Sequence, residues 1–197
     1  MKATEIRNLV LQALEHEMGG VKIYTAAVAC AMRSDLSAEW QRYLEQTLDH
    51  VEALRDVCGS LGIDPEEDTP LRRIVRHNAV ALLEAIGMAR ENGDPAAAQI
   101  VAAECIVLAE TKDHLDWKLL GLVAANLEPE LGDRLARAYE RVEGEEDEHL
   151  YHTKGWCREL WIEALGLPAV LPPAEEVRDV RTAIGAARAE AASDKLR

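Results

Sequence analysis

Glu146 and His149 form a Glu-x-x-His pair, and this spacing could place both side chains at one metal ion. On an α-helix, residues i and i+3 lie on the same face, so the carboxylate and the imidazole can reach a common point. Mixed carboxylate and imidazole ligation suits iron or manganese, and also zinc. The pair alone is a weak motif because the surrounding stretch is acidic, but the rest of the sequence repeats its geometry.

The sequence contains a similar arrangement of residues in two halves. Tyr24 follows Glu17 by seven residues, and Trp117 follows Glu110 by seven residues. Seven residues are close to two helical turns, so each aromatic side chain stays near the face of its acid. Each half then carries a histidine ten residues after a second aromatic residue, namely His50 after Trp40 and His149 after Tyr139. The repeat predicts two helical hairpins, each with an acid on the outgoing helix and a histidine on the returning helix.

The two halves differ three residues before the histidine, where Thr47 in the first half corresponds to Glu146 in the second. A threonine hydroxyl is a poor metal ligand, so the site could hold one metal ion instead of two. His114 could partly replace the missing carboxylate, and His152 is a weaker substitute. The predicted metal ligands are Glu17, His50, Glu110, His114, Glu146 and His149.

Other polar residues near these positions are not assigned to the site. Glu104 lies about 240° around its helix from the predicted ligand of that helix. His16 and Asp113 are expected at the surface. A structural alternative applies to the whole group, because His50 and His149 could be core histidines that pair with acids and fix the register of a metal-free bundle.

The composition favours a helical protein and argues against two classes of partner. In 197 residues, 36 acidic and 22 basic side chains give a net charge of −14. This charge repels nucleic acid and anionic membranes, so we expect neither as a partner. Four cysteines are scattered without C-x-x-C spacing, which indicates reduced thiols and disfavours a rubredoxin-like iron site. Neither a signal peptide nor a membrane-spanning apolar run is evident, so we expect a cytoplasmic protein.

Apolar periodicity and turn signals predict an all-α fold. We expect one domain over residues 1–166, with hairpins over about 4–61 and 95–165 and a crossover helix over about 71–92. Residues 34–37 are predicted to form a tight turn with Ser37 as the following N-cap, and Asp94 with Pro95 is predicted to begin a helix. A Pro-rich linker and a C-terminal helix are expected over 167–197, docked on the bundle or on a partner subunit.

These features resemble the ferritin-like di-iron carboxylate superfamily, which includes bacterioferritins and rubrerythrins. The segment from Glu17 to Tyr24 is similar to the first-helix motif of that family, and residues 145–149 are similar to its last-helix Glu-x-x-His. Residues 43–54 are similar to small stress-associated ferritin-like proteins of bacteria. The resemblance covers about residues 15–156. Two hairpins joined by a crossover helix form a ferritin-like four-helix bundle with inward carboxylates and imidazoles.

The resemblance implies a metal-binding protein with iron as the first candidate and manganese or zinc as alternatives. The activities implied are ferroxidase activity, iron storage, peroxide reduction and oxygenation, among which the sequence does not choose. We therefore expect a di-iron or mononuclear site, and an oxidoreductase acting on ferrous iron, oxygen or peroxide. The alternative is a non-catalytic helical-bundle protein whose buried Glu/His cluster is structural. We expect a homodimer.

Overall fold

A computed structural model describes residues 2–168, and every regular element in this range is an α-helix. In chain order these are α1 (Ala3–Val28), α2 (Ser34–Leu61), α3 (Pro70–Glu91), α4 (Pro95–Ala124) and α5 (Pro129–Leu165). The predicted all-α fold is therefore confirmed for this range. The predicted linker and C-terminal helix lie, beyond residue 168, outside the described residues. None of the five helices is long and apolar enough to cross a membrane.

The helix ends follow the local sequence, with one correction. The Asp94 side chain accepts hydrogen bonds from two backbone N–H groups of the first turn of α4, and Pro95 occupies the first helical position, as predicted. The predicted tight turn over 34–37 with Ser37 as N-cap is wrong, because these residues already form the first turn of α2. There Asp35 accepts a hydrogen bond from the N–H of Leu36 at 2.9 Å, and an acid is favourable at a helix N-terminus.

Four helices pack in a closed ring, in the order α1, α2, α5, α4 and back to α1. Between α1 and α4, Tyr24 contacts Glu110, whereas Glu17, earlier on α1, contacts Trp117, later on α4. These two helices are therefore antiparallel. The contacts between α2 and α5 run in the same opposed order. Short loops join α1 to α2 and α4 to α5, so each of these pairs is an antiparallel hairpin.

Helix α3 packs outside the ring, against α1 and α4. Gly19 permits this approach, because a Cβ atom added there would lie 2.8 Å from the Cβ of Ala79. One turn nearer the N-terminus of α1, the buried Glu15 carboxylate accepts hydrogen bonds from Arg72 at 2.6 Å and from Arg76 at 2.7 Å. The crossover helix is thus held by close backbone contact and by a buried ion pair.

The ring encloses two apolar clusters with a polar layer between them, here called the central layer. On α1, Leu14 belongs to one cluster and Ile23 to the other, and Glu17 lies between them. On α5, Val142 and Trp156 mark the two clusters in the same way, with the Glu-x-x-His pair between them. Each ring helix therefore passes through apolar, polar and apolar surroundings in turn, and the predicted ligands lie at the middle level.

Gly19→Ala tests the close approach of α3. The added methyl group overlaps Ala79, so we expect the free energy of unfolding to fall by about 1–3 kcal/mol in chemical denaturation. Gly87→Ala is the matched control, because a Cβ atom at this α3 position meets nothing within 4 Å. It should stabilise the protein by about 0.5–1 kcal/mol through helix propensity. Equal effects of the two substitutions would contradict the proposed role of Gly19.

Glu15→Gln tests the buried ion pair. Burial would raise the pKa of Glu15, but hydrogen bonds from Arg76 and Arg72 outweigh it and hold the pKa below its usual value of 4.5. This stabilisation is therefore present above about pH 4.5 and is lost as pH falls through the lowered pKa. We expect the variant to lose about 3 kcal/mol at pH 7 and the deficit to shrink in acid. The exposed Glu52→Gln should change stability by less than about 0.5 kcal/mol.

Candidate metal centre

Five of the six predicted ligands converge in the polar layer between the apolar clusters. Each ring helix contributes, and all five side chains belong to residues at most 3% exposed. The five are Glu17 on α1, His50 on α2, Glu110 on α4, and Glu146 and His149 on α5. The Glu-x-x-His spacing works as expected, since one oxygen of Glu146 lies 3.6 Å from Nδ1 of His149.

His50 is held with one ring nitrogen outward and the other facing the acids. Its Nε2 is 2.8 Å from a carboxylate oxygen of Glu145, which is partly exposed. Its Nδ1 is 3.2 Å from Glu17 and 3.1 Å from Glu146. Burial alone would lower the pKa of His50, but the carboxylates of Glu17 and Glu146 raise it to about 11. In the metal-free protein His50 is therefore an imidazolium between two acids.

His149 has the same orientation but the opposite charge state. Its Nε2 is 3.0 Å from the amide oxygen of Gln46, so this nitrogen donates a hydrogen bond. Burial, with His50 nearby, holds the pKa of His149 well below its usual value, so the ring is neutral. In a neutral ring with a protonated Nε2, Nδ1 carries the lone pair. Nδ1 lies 3.6 Å from Glu146 and 3.8 Å from Glu110.

The two single acids are each held by an aromatic residue from the other half of the repeat. Trp117 donates to Glu17 at 2.6 Å, and Tyr24 donates to Glu110 at 2.8 Å. The aromatic residue that follows one acid by seven positions thus bonds the acid of the other hairpin. The two halves are therefore related by an approximate two-fold arrangement in this layer. The aromatic residues also pack in the core, as expected, but their polar atoms fix the acids.

The acids in this layer outnumber the one imidazolium that faces them. Burial raises the pKa of Glu110 well above its usual range, and it raises that of Glu146 to about 7 against the opposing effect of His50. Within residues 2–168, both oxygens of Glu146 and one oxygen each of Glu17 and Glu110 have no hydrogen-bond partner. Buried oxygens of this kind are costly unless a proton or a cation neutralises them.

Asp113 also lies in this layer, a position that the sequence did not predict for it. It was expected at the surface, as was His16, but Asp113 is only 5% exposed and His16 only 9%. Both expectations are wrong, because Asp113 lies with Glu17 and Glu146 in this layer, and His16 lies against α4, where α3 packs on both α1 and α4. One signal could have identified Asp113: it follows Glu110 by three residues, the same spacing as in the Glu-x-x-His pair.

Within residues 2–168, two groups of side chains in this layer have ligand atoms that all lie within 4.8 Å of one another, and the predicted ligand Glu110 belongs to neither. The first group contains His50, Glu146 and His149, and the second contains Glu17, Asp113 and Glu146. Glu146 therefore belongs to both. Two imidazole nitrogens with a carboxylate, next to three carboxylates, match the donor types that divalent iron and manganese take.

The remaining candidates lie elsewhere in the layer or outside it. His114, the sixth predicted ligand, is 2.6 Å from Asp147 and belongs to none of the ligand groups found within residues 2–168. His152 is 2.8 Å from the hydroxyl of Tyr43. The Thr47 hydroxyl donates to the backbone carbonyl of Tyr43 at 2.8 Å.

Trp117→Phe tests how strongly the layer depends on donors to its acids. The substitution removes the hydrogen bond to buried Glu17, so we expect the metal-free protein to lose about 1–3 kcal/mol of unfolding free energy. Trp40→Phe is the matched control, because Trp40 is equally buried and its indole N–H has no hydrogen-bond partner within residues 2–168. It removes the same ring volume without a hydrogen bond, so it should cost less than Trp117→Phe. If both substitutions cost the same in chemical denaturation, the hydrogen bond to Glu17 has no special importance.

Comparisons with protein-family models, with curated proteins and with solved structures find no match to this chain. They neither support nor contradict the resemblance described above.

Proposed function

We propose that this protein binds divalent iron or manganese in the central layer and has a ferritin-like architecture. The observation that carries the proposal is the matched orientation of two histidines. His50 and His149 each have Nε2 bonded to an outer group and Nδ1 facing buried carboxylates. Histidines that bind a metal ion donate their other N–H to such a group, which fixes the ring and its tautomer.

The packing of the helices supports the ferritin-like part of the proposal. Two antiparallel hairpins joined by one long crossover form a ring, and every ring helix contributes a side chain to the same buried layer. Ferritin-like carboxylate proteins use one long crossover and place inward Glu and Glu-x-x-His ligands in this way. The predicted homodimer and cytoplasmic location remain predictions.

The two ligand groups support a centre with two adjacent ion positions. Glu146 belongs to both groups and would be a ligand common to them, while His50 and His149 would complete one group and Glu17 and Asp113 the other. Asp113 on α4 then supplies the carboxylate that Thr47 on α2 does not. The proposed centre is therefore dinuclear despite Thr47, with its second acid on a different helix from the one the repeat predicted.

A redox-active metal bound here would supply electrons for reaction with oxygen or peroxide, or would itself be oxidised as ferrous substrate. The chain supplies the surroundings for that chemistry. The apolar clusters above and below the layer exclude bulk water, which strengthens the interaction of carboxylates with a cation. The Tyr24 hydroxyl holds one oxygen of Glu110 and leaves the other, which has no hydrogen-bond partner among residues 2–168, free to move toward a cation.

One observation favours the structural alternative. His50 as an imidazolium already pairs with Glu17 and Glu146, which neutralises part of the negative charge without a metal ion. In a purely structural cluster, removal of one partner would mainly cost stability. The two functions therefore differ in what a ligand substitution removes: bound metal in one, unfolding free energy in the other.

His149→Ala distinguishes the metal-binding function from the structural alternative. After growth with added iron and manganese, we expect one to two metal ions per wild-type chain by plasma mass spectrometry, and at least a tenfold loss in the variant. His77→Ala on the exposed face of α3 should keep the wild-type metal content. Gln46→Leu leaves every ligand in place but removes the acceptor for Nε2, and it should weaken metal affinity about 10–100-fold. Wild-type protein that stays metal-free after anaerobic reconstitution with ferrous iron would refute the proposed function.

A further inference from the structure

A third group of ligand atoms lies beside the central layer, between α1 and α4. It comprises His16, Asp113 and Asp116, whose ligand atoms all lie within 4.8 Å of one another. Nδ1 of His16 is 3.4 Å from one oxygen of Asp116. Asp113 also belongs to the central group with Glu17 and Glu146, so the two groups meet at this residue.

The facing atoms of this group are buried and have no hydrogen-bond partner in the described part of the chain. They are Oδ1 of Asp113, Oδ2 of Asp116 and Nδ1 of His16. Asp116 is 0% exposed and Asp113 is 5% exposed, so water does not readily solvate these oxygens. Two carboxylates and an imidazole with ligand atoms this close together form a donor set for a divalent cation. Without a cation, leaving them unpaired is costly.

Lys112 and Gln12 orient Asp116 without occupying the facing oxygen. The Lys112 ammonium and the Gln12 amide both contact Oδ1 of Asp116, and Oδ2 is the atom directed at His16. Ligating carboxylates in metal sites are commonly held in this way by outer hydrogen bonds. The single positive charge of Lys112 can balance only one of the two aspartate carboxylates, so a further cation could neutralise the other.

His16 brings one side of the group to the surface, whereas both aspartates are buried. His16 and Lys112 line a groove of about 440 Å³ bordered by α1, α3 and α4. The opposite side of the group is Asp113, which reaches the central carboxylates. From groove to centre, the ligand groups therefore follow one another in a row, and each shares a carboxylate residue with the next.

We propose that His16, Asp113 and Asp116 form a second divalent-cation site, here called the lateral site, on the path from the groove to the central layer. The lateral site depends only on its own three residues, whatever the central layer binds. The sharing of Asp113 with the central ions rests on the proposed function. The ion is of the same hard or borderline class as the central ions, because the donors are oxygen and imidazole nitrogen.

Titration of the metal-free full chain with Mn²⁺ tests the lateral site, with bound ions counted by calorimetry and plasma mass spectrometry. Asp116→Asn keeps the size of the side chain, and we expect it to bind one ion fewer per chain than wild type while the central ions remain. Asp133→Asn removes the same charge from an exposed position of α5 and should match wild type. His16→Gln, at the groove, should weaken the lateral ion at least tenfold and covers the case in which Asp116→Asn does not fold.

His149→Ala separates this proposal from the function proposed above, because it removes a central ligand and should leave the lateral ion bound. Asp113→Asn tests the sharing and should lower occupancy at both sites, whereas Asp116→Asn lowers it at one. If Asp116→Asn and His16→Gln bind as many Mn²⁺ ions as wild type with unchanged affinity, the lateral site is refuted, whatever the central layer binds. If Asp113→Asn affects only one site, the sharing is refuted.

Discussion

The central constraint on this protein is the burial of several carboxylates at one level of a helical ring. Glu17, Glu110, Asp113 and Glu146 lie between two apolar clusters, where an ionised group without a partner is expensive. One imidazolium and two aromatic donors satisfy only part of this demand. The chain therefore carries at its centre a set of oxygens for which a proton or a metal ion is the natural complement.

The hydrogen bonds to the single acids also fix how the two hairpins meet. Trp117 of the second hairpin reaches Glu17 of the first, and Tyr24 of the first reaches Glu110 of the second. A slip of one helical turn between α1 and α4 would move each donor about 5.4 Å along the axis and break both bonds. Apolar packing alone tolerates such slips better than a buried polar pair does. The same bonds that hold the acids in place therefore specify the register of the ring.

Much of this arrangement could be predicted from sequence because it depends on spacing along single helices. The hairpin boundaries and five of the predicted ligands follow from the 3.6-residue period and from the repeated acid, aromatic and histidine positions. The outer contacts could not be predicted in this way. Asp113 was expected at the surface, but it lies with Glu17 and Glu146 of two other helices, which spacing along α4 does not show. His16 was expected there because periodicity shows one apolar stripe, whereas α1 packs against three helices and is buried over a wider arc. That arc depends on α3, whose position is set by the Gly19 contact and the Glu15 ion pair.

Thr47 is the position at which the two halves of the repeat differ. Its hydroxyl bonds the carbonyl of the preceding turn, and a Cβ atom added to Gly20 of α1 would lie 3.3 Å from its methyl carbon. Thr47 therefore packs beside Gly20 at this level of α2. The additional acid in this layer is Asp113 on α4, which groups with Glu17 and Glu146 and also with His16 and Asp116. On the proposed assignment, Thr47 in place of a carboxylate shifts the second ion position away from α2 and toward Asp113 of α4. Because Asp113 also belongs to the lateral site, this difference between the two halves connects the buried centre with the site beside the groove.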